Sequence, residues 1–246
     1  MPAQETEAII LRTFPLGEAD RLVSFLARSA GRLRGVAAGA RRLKNRFGSA
    51  LEVLAHVRME YIERETRDLV RIRECELLES FHAAQSDYAL ATGLAVVSEI
   101  AESVLPEREP AEAMFRLVLL TTREIERRKA WGVAVSYFAF WSVKLGGWLP
   151  ALDRCGRCST SLGVGPGFCA TWSAHLLCEN CRRAGMKPVS AAARQLAERY
   201  IVQGLDRMEA SAKQDAPAGE LREAALDWLE LHMERKLKSR ELLEKI

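Results

Sequence analysis

The chain lacks most of what would place it outside the cytosol or make it an enzyme. It opens MPAQETE, with acids where a secretory signal has a basic region and then an apolar run. Its longest apolar stretch, 131–149, is interrupted by Ser136, Ser142, Lys144 and glycines, and is too polar to span a bilayer unaided. A cytoplasmic protein without a membrane partner is expected, with its thiols kept reduced. Walker-type glycine loops, G-x-S-x-G elbows and carboxylates at metal-ligand spacing are missing. Glu99 and Glu102 are only neighbours on a helix. An enzyme is therefore not expected. Aromatic residues make up only 7% of the chain, which is few for a base-stacking platform and favours backbone electrostatics in any nucleic-acid contact. Acids, common elsewhere, are absent from Arg21 to Leu51.

That acid-free stretch holds eight basic residues: Arg21, Arg28, Arg32, Arg34, Arg41, Arg42, Lys44 and Arg46. A solvated face normally mixes signs, so the bias points to a polyanion. Its densest part, GARRLKNRFG at 39–48, reads as a loop leaving a strand. Glycines allow close backbone approach, and guanidinium groups can hold phosphate through two hydrogen bonds. Phe47 could stack on a base or pack beneath the loop. The bland alternative is a solubilising loop whose arginines pair with the acids around 60–65.

Around this stretch the first eighty residues read as strands, at 7–14, 22–26, 32–38, 53–61 and 69–73. Alternation is clearest where Val53, Ala55, Val57, Met59 and Tyr61 share one face. Five short strands suit an OB-fold barrel, and an SH3-like barrel fits the pattern nearly as well. From about Ser80 the pattern becomes helical: 82–105, 109–128, 131–148, 190–203 and 221–243. The third of these is apolar nearly all round and should lie at the centre of a bundle. Residues 213–219 (KQDAPAG) read as a polar linker.

Two CxxC knuckles, Cys155-Gly-Arg-Cys158 and Cys178-Glu-Asn-Cys181, stand nineteen residues apart. Each can aim two thiolates at one point, and together they match a structural Zn²⁺ site. Four sulfurs leave no open coordination position for catalysis. The only H-x-E, His232-Met-Glu234, follows both knuckles, whereas a zinc deaminase needs it ahead of them. Two metal-free thiol pairs are the bland alternative. His175 is a reserve ligand, and Cys75 and Cys169 read as packing residues. Arg182, Arg183, Lys187 and Arg194 either balance thiolate charge or form a second basic surface.

In order and spacing, IILRTFPLGEAD at 9–20, Gly31-Arg-Leu, Gly39-Ala-Arg-Arg, Arg46-Phe-Gly48 and LPALDRC at 149–155 resemble the bacterial RecO family over nearly the whole chain. The resemblance implies an α+β multidomain protein: an OB-fold DNA-binding domain at 1–80, an α-helical domain at 81–152 and 187–246, and an inserted four-cysteine zinc-ribbon-like module at 153–186. Some members lack the cysteines, which implies a structural zinc. The resemblance further implies a non-enzymatic recombination mediator that binds single- and double-stranded DNA, anneals complementary strands and helps load RecA on strands coated with single-strand-binding protein (SSB). RecR and the SSB C-terminal tail are the implied partners, and a cytoplasmic, nucleoid-associated location follows. Carried over to this chain, DNA contact falls on Arg34, Arg41, Arg42, Lys44 and Arg46, and zinc ligation on Cys155, Cys158, Cys178 and Cys181. An RNA-binding protein built from an OB-fold and a zinc ribbon is the alternative.

Overall fold

The structure, a computed structural model, describes residues 3–63, 68–208, 215–243 and 245. The chain divides into two compact units, Met1–Glu126 and Arg127–Ile246.

The first unit is built on five strands: β1 (Gln4–Leu16), β2 (Asp20–Ala27), β3 (Gly31–Ala37), β4 (His56–Ile62) and β5 (Val70–Glu79). They form a closed barrel in the order β1-β2-β3-β5-β4, an OB-like architecture. Its interior is filled by alternate residues, among them Ala8, Ile10, Val23, Phe25, Leu33, Val57, Met59, Tyr61, Val70 and Ile72. Ile9 and Leu11 of β1 are also buried, because helix α2 (Tyr88–Val104) packs on that strand. A strand covered on both faces reads as a continuous apolar run, which explains the IIL of β1.

Closure depends on the parallel β3–β5 pairing, which matches Gly35 to Val70, Val36 to Arg71 and Ala37 to Ile72. A Cβ at Gly35 would sit 2.8 Å from Val70 Cγ2 and 2.9 Å from Ile72 Cγ1. Only glycine lets the core side chains of β5 lie this close to β3.

Two strand boundaries differ from the sequence reading. Residues 53–55 are not strand, because a 3-10 turn at Gly48–Leu51 precedes them and Leu54 has φ 64°. A left-handed residue cannot continue a pleat. β5 runs on to Glu79 instead of ending at 73, since it pairs with β4 as far as His56.

Two further helices, α1 (His82–Gln85) and α3 (Glu112–Arg128), follow the barrel. Asp87 separates α1 from α2 by accepting a hydrogen bond from the Leu90 N–H, an N-cap that explains the break in the 82–105 pattern.

The second unit contains α4 (Gly132–Leu145), a three-stranded sheet of order β7-β6-β8, α5 (Ala191–Val202), α6 (Asp215–Met233) and α7 (Arg240–Leu243). The sheet strands are β6 (Gly167–Ala170), β7 (Ser173–Leu177) and β8 (Lys187–Val189). The apolar helix α4 buries Val135, Phe138, Phe140 and Val143 and packs along α6.

The polar stretch at 213–219 proves not to be a linker over its described part. Asp215–Gly219 forms the first turns of α6, where an acid suits the helix dipole and Pro217 lacks an N–H that would be unpaired anyway. Lys213 and Gln214 lie outside the described residues. α6 also ends at Met233, ten residues short of 243, because Glu234 adopts φ 53°. The short helix α7 is then held against α6 by Arg240. Its guanidinium lies 2.6 Å from Asp227, 3.0 Å from Glu230 and 2.8 Å from Glu223.

Gly31 links the barrel to the segment before α3. Its φ is 73°, and an added Cβ would lie 1.8 Å from the Glu109 backbone oxygen. Gly31→Ala is expected to destabilise the first unit by at least about 2 kcal/mol, through left-handed strain plus the backbone clash. Chemical denaturation followed by circular dichroism measures this; an unchanged midpoint contradicts it.

Candidate nucleic-acid interface and metal centre

The basic loop, 38–47, leaves β3 and is pinned on both shoulders. On the first side, the Gly39 N–H donates to Asp20 Oδ1 (2.8 Å), the Arg41 N–H to the Ala19 carbonyl (2.9 Å) and Arg41 Nη1 to the Gly17 carbonyl (2.7 Å). On the second, Asn45 Oδ1 accepts from the N–H groups of Phe47 and Gly48. Phe47 is 3% exposed and lies in the barrel core. Of the two readings open for it, packing is the one realised. Its ring anchors the loop and is not available to a base.

The loop therefore presents its central residues outward. Arg42 and Lys44 are exposed, with Leu43 between them wholly in solvent at 101%. Neither cation has a carboxylate partner among the described residues. Arg46 donates through Nε to the Arg73 carbonyl (2.6 Å) and its guanidinium lies 4.8 Å from the Phe47 ring centroid. Arg34 stands apart on the outer face of β3, its Nε 2.8 Å from a Glu107 oxygen. The acids near residue 60 are not what the loop arginines engage: Glu60 faces Arg73 and Glu63 pairs with Arg108. Glu65 lies outside the described residues.

One cation passed over by the sequence reading belongs with this face. Arg71 is exposed on β5, beside Val36, and also has no carboxylate partner among the described residues. Arg71 and Arg73 alternate with the buried Val70 and Ile72, so both lie on the outer side of β5. The parallel closure, which no local pattern encodes, is what brings Arg71 to the basic side. On the other flank a hollow of about 260 Å³ is lined by Glu5, Glu60, Glu74, Glu76, Cys75, Arg46 and Arg58. Three of its carboxylates are already engaged, Glu5 and Glu76 by Arg58 and Glu60 by Arg73. Burial pushes the Cys75 thiol at this hollow up to about 12.

In the second unit the four predicted sulfurs do come together. Cys155, Cys158, Cys178 and Cys181 place their Sγ atoms within 4.8 Å of one another, with Cys158 and Cys178 at 3.7 Å. Tetrahedral Zn–S bonds of ~2.3 Å require sulfur–sulfur distances of about 3.8 Å, so the set fits a four-thiolate metal centre. Each knuckle is a tight turn: Ser159 N–H donates to the Cys155 carbonyl (2.9 Å), and the Cys181 and Arg182 N–H groups to the Cys178 carbonyl (3.0 and 2.9 Å). Gly156 is needed because a Cβ there would lie 2.5 Å from His175 Cβ. His175 thus packs over the knuckle and lies outside the four-sulfur cluster.

The thiols of this cluster act on one another electrostatically. Burial alone would raise the Cys155 thiol, but the backbone N–H groups of Cys158, Cys178 and Arg157 outweigh it and bring it down to about 6. Cys181 is pushed up to about 12 by its contact with Cys158, by burial, and by Cys178 and Cys155. Sulfurs this close cannot all ionise without a positive charge among them. Cys169 is buried outside the cluster, and burial raises it to about 12.

The basic residues around the knuckles have different roles. Arg194 is buried, and its guanidinium donates to the carbonyls of Leu152 (3.0 Å), Gly163 (2.7 Å) and Gly165 (2.6 Å). It ties α5 to the loops of the cysteine module. Arg182 pairs with Glu179 at 2.8 Å, and Lys187 Nζ lies 4.0 Å from Glu223.

Comparison with known proteins agrees with both halves. The family profile Recombination protein O N terminal matches residues 1–81, and Recombination protein O C terminal matches 85–241. The chain belongs to the RecO family. Relatives named DNA repair protein RecO match along their full length. The one from Koribacter versatilis is 35% identical over 243 residues, covering 99% of both chains. Those from Syntrophobacter fumaroxidans and Frankia casuarinae are 34% and 33% identical, each covering at least 98% of both chains. A closed OB-like barrel, a helical region and a cysteine cluster able to hold metal are thus the RecO elements present here. Among the described residues no helix is long and apolar enough to cross a membrane.

Replacing Arg194 with Met removes one buried cation and leaves three carbonyls unpaired. A loss of at least about 2 kcal/mol is expected, together with faster amide exchange around Gly163 and Gly165. Unchanged exchange there contradicts the tie.

Proposed function

We propose that this RecO family member is a non-enzymatic recombination mediator. It binds single- and double-stranded DNA with little sequence preference, anneals complementary strands and helps place RecA on SSB-coated single strands. The observation that carries the reading is the pinned loop 38–47, which holds Arg41, Arg42, Lys44 and Arg46 outward on a closed barrel and leaves Arg42 and Lys44 without a carboxylate partner among the described residues. Partners implied by the family are RecR and the acidic SSB tail, in the cytoplasm at the nucleoid.

Annealing needs no catalytic side chain. Two strands repel, and cations that hold their phosphates lower the repulsion while the base edges stay free to pair. Arg42 and Lys44 are available at once. Arg41 and Arg46 spend part of their donor capacity on backbone carbonyls and offer phosphate the remainder. Arg34 exchanges Glu107 for a phosphate. Arg71 extends the same face.

Zinc held by Cys155, Cys158, Cys178 and Cys181 has a structural role in this reading. It supplies the charge that lets all four thiolates ionise, and it fixes the two knuckles. One zinc per chain is expected by elemental analysis, with the four thiols protected from a thiol reagent. Cys181→Ser should abolish both, and retention of full metal content in that variant contradicts the assignment.

The decisive test is the annealing of complementary oligonucleotides, bare and coated with SSB, at two salt concentrations. Acceleration that fades as salt rises is expected. Arg42→Glu with Lys44→Glu is the cleanest variant, because Arg46 also supports Phe47. It should weaken single-strand binding about tenfold or more and lower the salt slope by roughly 1.4, for two phosphate contacts at ~0.7 each. Wild-type affinity in the folded double variant counts against the reading, and tighter binding to structured RNA favours the RNA alternative.

A further inference from the structure

The cysteine module carries more than its sulfurs require. Ala170 pairs with Ser173, so only two residues, Thr171 and Trp172, turn β6 into β7. Trp172 is 51% exposed there. Neither residue takes a positive φ, so the backbone of this turn makes no demand for Gly, Asn or Asp and none for an indole. An indole at the tip neither eases the turn nor fills the core. A half-exposed ring with a cation beside it is a surface that a flat aromatic ligand can cover.

Beside the ring stands Arg183, its guanidinium carbon 5.8 Å from the centroid. Arg183 is exposed and has no carboxylate partner among the described residues. Its neighbours are committed elsewhere. Arg182 pairs with Glu179 and covers the Phe168 ring at 4.9 Å, Arg194 is buried on carbonyls, and Lys187 faces Glu223. Of these four cations, Arg183 is the one whose guanidinium or ammonium has no carboxylate or carbonyl partner among the described residues, and Trp172 is the aromatic surface next to it.

We propose that Trp172 and Arg183 form a second contact for single-stranded DNA, separate from the barrel loop. The indole stacks on one base and Arg183 takes an adjacent phosphate. This rests on the nucleic-acid reading of the chain given above. A flat ring at the convex tip of a hairpin suits a base, whose face is equally flat. A peptide side chain needs a concave site to bury it. The cation beside the ring complements the phosphate that accompanies every base.

The four-cysteine cluster positions the cation of this pair. Arg183 is two residues from Cys181, the Arg182 N–H is held by the Cys178 carbonyl at 2.9 Å, and the Arg183 N–H reaches Met186 Sδ at 3.4 Å. Gathering the four sulfurs therefore fixes where Arg183 stands relative to the hairpin. On this account the zinc, although structural, serves DNA handling by holding a second grip.

The experiment uses the full, zinc-loaded chain and an oligothymidine strand as probe. Trp172→Ala, Trp172→Phe and Arg183→Gln are made in the parent and in the Arg42→Glu, Lys44→Glu background. Affinity, annealing rate, quenching of tryptophan emission and zinc content are measured. In the loop-variant background Trp172→Ala should lower affinity about tenfold, equivalent to ~1.4 kcal/mol. It should also remove most of the quenching and slow annealing, with zinc content unchanged. Trp172→Phe should keep most of the affinity, because a ring still stacks.

Unchanged affinity and quenching in Trp172→Ala overturn the proposal. So does a Trp172→Ala variant that binds the strand normally but loses an acidic peptide ending in an aromatic residue, which assigns the surface to a protein partner. If the loop variant anneals normally while Trp172→Ala does not, the barrel reading falls and this one stands. The reverse result leaves the barrel reading and removes this one.

Discussion

The parallel contact between β3 and β5 is the constraint on which the basic face depends. It spans three residue pairs and brings together strands separated in sequence by the whole of the loop and β4. Two facts permit it: Gly35 has no Cβ to collide with Val70 and Ile72, and β5 offers alternate apolar residues to the barrel interior. Once the barrel closes there, the loop 38–47 must arch between the end of β3 and the start of β4. Phe47 then sinks into the core, Arg46 reaches the Arg73 carbonyl, and Arg71 arrives beside Val36.

Charge is distributed with the same economy. Arg28 is held by Glu7 within the barrel and by Glu112 of α3, and Arg32 and Arg34 are held by Glu107, so the pairs to Glu112 and Glu107 join the barrel to the helical segments of the first unit. The cations of the loop tip are spared this, while Arg46 at the neighbouring hollow stands among carboxylates. Exposed ion pairs of this kind add little stability each. Their consequence is to decide which arginines are left without a carboxylate. In the second unit four thiols crowd together, and as thiolates they could share the site only around a cation.

Much of this could be read without coordinates, for identifiable reasons. Strand alternation in Val57, Met59 and Tyr61 reflects a period that needs no tertiary information. CxxC spacing is local geometry, so the four sulfurs were found where expected. Less legible were the ends of elements. The Leu54 and Glu234 backbones adopt positive φ without glycine, and composition does not announce that. Asp215–Gly219 looked like a linker because its residues are polar, yet an acid and a proline in a first helical turn are favourable there. Phe47 was ambiguous in principle, since an aromatic in a basic loop is equally consistent with stacking and with anchoring.

What the sequence determined by itself is set by short-range rules: strands before helices, an acid-free basic stretch, two metal knuckles, and the order of motifs shared with the RecO family. What only the tertiary structure decided is which of those residues are available. Arg194 and Arg183 lie in one basic cluster in sequence, but one is buried on three carbonyls and the other stands free beside an exposed indole. Arg34 and Arg42 belong to the same acid-free run, but only one meets a glutamate, and that glutamate lies seventy-three residues away from it. Availability is a property of long-range neighbours, and no local pattern of residues encodes who those neighbours are.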